Sequence, residues 1–382
     1  MRGVCSVLAT SLVAVSAFAQ LMISGNEAKI DLTSGTPRGI AGAPPDSLTI
    51  LDFDTFPPTV RHIDNIKNTV IGPPSNIAIT PDESLALVAS SVVLDPKDPA
   101  KWVPDSVIHV LDLRTDPPSV VQELATDKQP SGMSITRDGK RAIVANRAAG
   151  TVSLLAIDGT TVSIKQTLEV CKPEDNISDV AITPDGKTAL ASVCEAGYMA
   201  MLHIEGDALT LDERKFSVCG KPYRVVISPD GRFALTGGSG QGVPDVDAVT
   251  VVDLSLNPPR TVDYVLIPPG PESLEISPDG KLVAVVIMAG SNLPADKPLH
   301  TEQGIVVLLA RRENTFVKVQ EIPTGPIPEG VAFSPDGKYL VVQCHPKREL
   351  WFFEVVGETL RDTGQRIGVP AMPSSLRIAD KP

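Results

Sequence analysis

The stretch "VVISPDGRFALTGG", residues 225–238, is an apolar run, a Ser-Pro-Asp-Gly tetrapeptide and a second apolar run. Pro229 pre-sets φ at the first corner of a turn, Asp230 suits the second, and Gly231 accepts the positive φ that sends the chain back antiparallel. The residues therefore predict a β-hairpin. The same phrase returns as "DVAITPDGKTALASV" from Asp179, "SLEISPDGKLVAVVI" from Ser273 and "GVAFSPDGKYLVVQC" from Gly330. Two further copies are imperfect: Arg137 stands where the others have Pro, and Glu83 where they have Gly. Aligned on the aspartate, the turns fall at Asp82, Asp138, Asp185, Asp230, Asp279 and Asp336, spaced by 45 to 57 residues. Such a period indicates a propeller or an array rather than a domain with one core.

Around each turn the pattern is graded. The run before it is continuously apolar, as expected of a strand buried on both faces. A second strand follows, then a third with a repeated cadence ("SLTILDF", "VIHVLDL", "TVSLLAI", "YMAMLHI", "AVTVVDL", "GIVVLLA", "LWFFEV"), then a more polar fourth such as "TVSIKQTLEV". Four strands running from apolar to polar describe a propeller blade with its first strand at the axis. The third strands number seven. Seven first strands require counting "SSLRIAD" near the C-terminus, which stops where its turn should begin. Its missing partner is "LMISGNEAKID" from Leu21, which matches "LALVASSVVLD" from Leu85. The expected fold is thus all-β, a seven-bladed β-propeller of four-stranded antiparallel blades in which N- and C-terminal strands close one blade and leave no open sheet edge.

"ISPDGK" followed by an apolar strand and a "VxVVDL" strand resembles the YVTN-type repeat propellers and the lactonase-like seven-bladed propellers. The resemblance spans essentially the whole chain after residue 19. The nearest match to the eponymous tetrapeptide is Ile143-Val144-Ala145-Asn146. It implies the propeller fold strongly and function weakly, because related propellers include gluconolactonases, muconate-cyclising enzymes and uncharacterised exported proteins. It carries over no catalytic residues.

Residues 1–19 combine one Arg, an apolar run and Ala17-Phe18-Ala19, the pattern of a cleaved secretory signal peptide. The propeller then occupies 20–382, and the location is periplasmic or extracellular. No other apolar run is long enough to span a bilayer. Removing Arg2 takes the net charge from −12 to −13, a surface that repels nucleic acid and anionic lipid. Monomers are expected. Of the cysteines after residue 19, Cys194 is expected to bond Cys171 or Cys219, with Cys344 free. No spacing suits metal or haem, so no metal ligands are assigned and no cofactor is identified. Asp95 and Asp98, in a Pro-rich loop, are weak candidates for holding a cation.

The Pro-Asp-Gly turns share one face, so the variable loops lie opposite. Four are long, at 25–46, 91–105, 238–247 and 288–304, in blades 1, 2, 5 and 6. They predict two facing ridges with a trough between, the kind of surface where function concentrates. Residues just before each axial strand ring the channel mouth. Among them Glu272 and Glu329, with His345, are the catalytic candidates, because neighbouring carboxylates beside a cation are suited to acid–base work. Asp179, Tyr223, Arg224, Arg147 and Glu195 are candidate ligand-binding residues around them. Two functions follow. One is an exported propeller that binds a small molecule or a protein on its loop face. The alternative is a lactonase- or lyase-type enzyme using the mouth carboxylates with an Arg or His.

Overall fold

The computed structural model describes residues 20–240 and 244–381. The expected signal peptide lies outside them. Seven four-stranded antiparallel sheets are arranged as propeller blades. Blade 4 shows the repeat: Ile177–Ile182, Thr188–Val193, Tyr198–Glu205 and Ala208–Ser217, from inner to outer strand. Inner strands such as Pro130–Ile135 and Pro328–Phe333 are buried along their length, whereas outer strands such as Ser119–Ala125 hold only exposed and half-buried residues. That gradient is the apolar-to-polar order of the sequence.

The turns form as their chemistry dictates. Ser228 Oγ donates to Asp230 Oδ1 at 2.6 Å, the amide of Arg232 donates to the same oxygen at 3.1 Å, and Gly231 sits at φ 72°. Between blades the apolar side chains gather into seven clusters, one for each pair of neighbouring blades. The core is therefore a ring of interfaces around a polar channel.

Blade 1 is closed by both ends of the chain. Met372–Ile378 is its inner strand and pairs with Leu21–Glu27, in the register Met22 opposite Ile378 and Ser24 opposite Leu376. The turn of blade 2 seals the joint. Glu83, at φ 54° in the glycine position, accepts the Leu21 amide at 3.0 Å and lies 3.0 Å from Lys381 Nζ. The departure from the turn consensus thus ties down both chain ends.

On the loop face the expected trough is not what forms. Residues 91–105 are mostly not irregular: Leu85–Asp95 and Asp98–Asp112 extend as a hairpin that pairs Val93 with Val103 and Leu94 with Trp102. Their β-branched and aromatic side chains favour strand over loop. At its tip Asp95 and Asp98 accept the amides of Lys97 and Ala100. The long segment of blade 1 folds a small hairpin, Ile30–Asp31 with Arg38–Gly39. It packs so tightly on blade 2 that a Cβ at Gly39 would lie 2.2 Å from the Pro99 carbonyl oxygen. Its tip, Gly35 at φ 77°, reaches Pro294 in the blade 6 loop. The ridges meet over the axis and roof the mouth. No helix among the described residues is long and apolar enough to cross a membrane.

All four described cysteines are free, so the expected disulfide is absent. Burial holds the Cys171 thiol up at about 11, and Cys194 lies beside Ser178 and Arg147 rather than another sulfur. Cys344 is free as expected, buried against Thr324.

Candidate functional site at the roofed mouth

Blades 3 to 7 each enter the inner strand through a residue with positive φ. Gln129, Asn176, Gly220, Gly270 and Ile327 occupy this position in blades 3 to 7. The ladder with the second strand then slips, between Pro271 and Ser273 in blade 6 and between Pro328 and Val331 in blade 7. A bulge leaves residues unpaired and re-aims their side chains. Glu272 and Glu329 are the bulged residues, and both line a pocket of about 270 Å³ at the mouth. Ile327 lines it too, at φ 46°. A β-branched residue held in the left-handed region is strained. Its carbonyl accepts the His345 amide and its amide donates to Ser291 Oγ at 2.9 Å, which fixes the approach to Glu329.

Arg147, Tyr223 and Asn292 complete the polar lining, and Trp102, Met288, Leu32 and Pro37 supply apolar walls and roof. The Arg147 guanidinium lies over the Tyr223 ring, 5.6 Å from its centre, and donates to Ser178 Oγ. Glu329 is 1% exposed, and its Oε1 has no hydrogen-bond partner among the described residues. Beneath it lies a third carboxylate, Glu27, 2.6 Å from Lys29 Nζ and bonded to the Val70 amide.

These surroundings move the carboxyls apart. Burial raises Glu272 to about 8, opposed by the positive charge of Arg147. Glu329 is raised well above the usual range, first by burial and then by the negative charges of Glu272 and Glu27. Glu329 is therefore the member that keeps its proton, and Glu272 the one that ionises. Burial also lifts Glu27 to about 7, against the pull of Lys29. The Tyr223 hydroxyl stays protonated, raised by burial and by Glu272.

The sign of the resulting pH dependence follows. Unfolded glutamates ionise near 4.5, whereas the folded pair holds its protons to about 8 or beyond. As pH rises through that window the unfolded chain releases protons that the folded one retains, so stability falls. Glu329→Gln should melt with the wild type near pH 4.5 and above it at pH 9, by on the order of 5 °C. A difference in Tm that does not grow with pH would contradict this assignment.

The other candidates lie elsewhere. The guanidinium of Arg224 does not line this pocket. It is fully buried, donating from Nε to the Leu274 carbonyl at 2.8 Å and from Nη2 to Glu275. Asp179 is also buried, accepting Ser75 Oγ of blade 2 at 2.8 Å and the Val225 amide of blade 5 at 2.9 Å. A Cβ at Gly132 of blade 3 would lie 1.9 Å from its Oδ1, so only glycine fits there. Asp179 thus bridges several blades across the channel. His345 is fully buried, donating from Nδ1 to the Pro373 carbonyl at 3.1 Å, and burial lowers it to about 4, so it stays neutral. Glu195 is exposed and paired with Lys221 at 2.7 Å. Glu27, Trp102 and Ile327 were not foreseen, because nothing local in the sequence brings them to the axis. Among the described residues no three His, Cys, Asp or Glu side chains are grouped to hold a metal ion.

A neutral carboxyl, an ionisable carboxyl and a guanidinium around one small pocket can donate a proton, accept one and stabilise a developing oxyanion. No family model matches the chain, and no curated protein matches it in sequence. Among solved structures it is similar to a candidate 6-phosphogluconolactonase of Bacteroides uniformis, with a TM-score of 0.70 and 18% identity over 94% of this chain and 99% of that one. The periplasmic gluconolactonase PpgL of Pseudomonas aeruginosa gives 0.66 and 18%, covering 94% of this chain and all of the other. Hydrazine synthase of Kuenenia stuttgartiensis gives 0.60 and 20%, over 81% and 90%. At these identities the likeness is one of fold alone, and the fold is the seven-bladed β-propeller.

Proposed function

We propose that the protein is a lactonase-type hydrolase acting on a small lactone in the roofed mouth, after export directed by residues 1–19. The observation that carries this reading is the juxtaposition of Glu272, Glu329 and Arg147 in one pocket. Its size suits a monosaccharide-sized molecule rather than a polymer. The Glu272 carboxylate takes a proton from water as the water oxygen bonds to the lactone carbonyl carbon. Arg147 holds the oxyanion that forms. The acyl–oxygen bond of the ring then breaks, and Glu329 gives its proton to the departing ring oxygen. Two gluconolactonase-type neighbours share the fold and agree with this choice. The roof also narrows the broader expectation of ligand binding on the loop face to a small molecule at the axis.

The test is a screen of residues 20–382 against γ- and δ-lactones, including sugar lactones, by proton release. Turnover above the spontaneous rate is expected, rising with pH as Glu272 ionises near 8. Saturable binding of these compounds without hydrolysis at any pH would replace the enzyme with a binding protein.

A further inference from the structure

At the other end of the channel, on the face of the Ser-Pro-Asp-Gly turns, lies a second cavity of about 510 Å³. Its rim is built from the turn prolines of blades 4 to 7, Pro184, Pro229, Pro278 and Pro335. In blade 3 the equivalent residue is Arg137, the departure from the repeat noted in the sequence. Its Nη2 donates to the Pro229 carbonyl at 3.0 Å, which lays the guanidinium along the rim. Two more guanidiniums line the cavity from the inner strands, Arg224 and Arg377.

Their hydrogen-bonding capacity is not used up. Arg377 is 9% exposed and its guanidinium forms no hydrogen bond among the described residues; its ion-pair partner, Asp380, lies at 3.7 Å. Arg224 Nη1 has no hydrogen-bond partner among the described residues and is 3.9 Å from Asp179. A guanidinium carries five donors and is unfavourable to bury unless they are bonded. Glu275 is already bonded to Arg224, and Lys381, which also faces the cavity, is paired with Glu83. The lining carries three arginines and a lysine against Glu275 and Asp380, in a chain of net charge −12. With Asp179 behind Arg224 and Glu83 behind Lys381, cations and carboxylates balance in number, and it is the unbonded guanidinium N–H groups, held in a concave, partly desolvated space, that call for an acceptor. Oxyanions that accept from several guanidinium N–H groups at once are the ligands for which such a set is suited.

We propose that this cavity is a binding site for a small polyvalent oxyanion, a phosphate or a cluster of carboxylates, held by Arg137, Arg224 and Arg377. It is distinct from the mouth pocket, with which it shares no lining residue. It is also independent of the lactonase reading.

The test is calorimetric titration of residues 20–382 with inorganic phosphate and, separately, with citrate, at constant ionic strength set with chloride. Saturable binding of at least one anion is expected, and which one binds identifies phosphate or carboxylate as the recognised group. Arg377→Gln should weaken it roughly tenfold or more, the worth of a charge-assisted hydrogen bond. Arg137→Pro restores the residue used by the other turns, so it preserves the fold and should weaken binding similarly. Glu329→Gln, at the other end, should bind as the wild type. Binding of neither anion, wild-type affinity in either arginine variant, or loss in Glu329→Gln would each overturn the proposal.

Discussion

Glu329→Gln should lower kcat on the lactone substrate by about 10²–10⁴-fold, the usual worth of a general acid or base. The amide fills the same space but has no acidic proton for the departing ring oxygen. Glu272→Gln should fall by a similar factor for the complementary reason, since it removes the group that accepts a proton from water. The two losses should not multiply in the double variant, because residues that act as a unit are not additive. Unfolding is separable from chemistry here. Both positions are unfavourable for a charge, with Glu272 raised to about 8 and Glu329 further, so the amides should leave Tm unchanged in acid and raise it in alkali. Full activity in either variant, with the fold intact, would remove the pair from the mechanism.

Deleting residues 374–382 should abolish the folded state. The closing strand is an inner one, with Leu376 1% exposed in the cluster between blades 7 and 1. Its polar groups hold blades 7 and 2 as well: Gln343 Nε2 donates to the Ser375 carbonyl at 2.7 Å, and Ser375 Oγ to the Pro74 carbonyl at 3.1 Å. Removing it bares the edge of Leu21–Glu27 and leaves these partners unbonded, which favours aggregation. Leu376→Ala is the graded version and should cost about 2–5 kcal/mol while leaving a cooperative transition. A truncated chain that stays soluble and melts cooperatively would mean the ring does not depend on this closure.

The repeat was legible because it is local. A Ser-Pro-Asp-Gly turn is specified by the four residues that form it, and a blade by the order of four adjacent strands. Closure was legible as well, since the two ends of the chain complete one unit of a known pattern. Even the two irregular turns could be seen as irregular. Their roles could not, because Glu83 meets Leu21 and Lys381, and Arg137 meets Pro229, far along the chain.

The sequence by itself determined the seven blades, the strand order within them, the joining of the termini and the ring of residues entering the channel. Only the tertiary structure decided which way those residues face. Tyr223 and Arg224 are adjacent on one bulged strand, yet the first lines the mouth and the second the opposite cavity. Spacing predicts that residues reach the axis. Their direction along it depends on each bulge and on what the neighbouring blades offer, such as the Leu274 carbonyl and Glu275 for Arg224. The roof was hidden for the same reason, since Gly35 of blade 1 meets Pro294 of blade 6 past the intervening blade 7. Contacts between distant blades have no local period, so no pattern within one repeat encodes them.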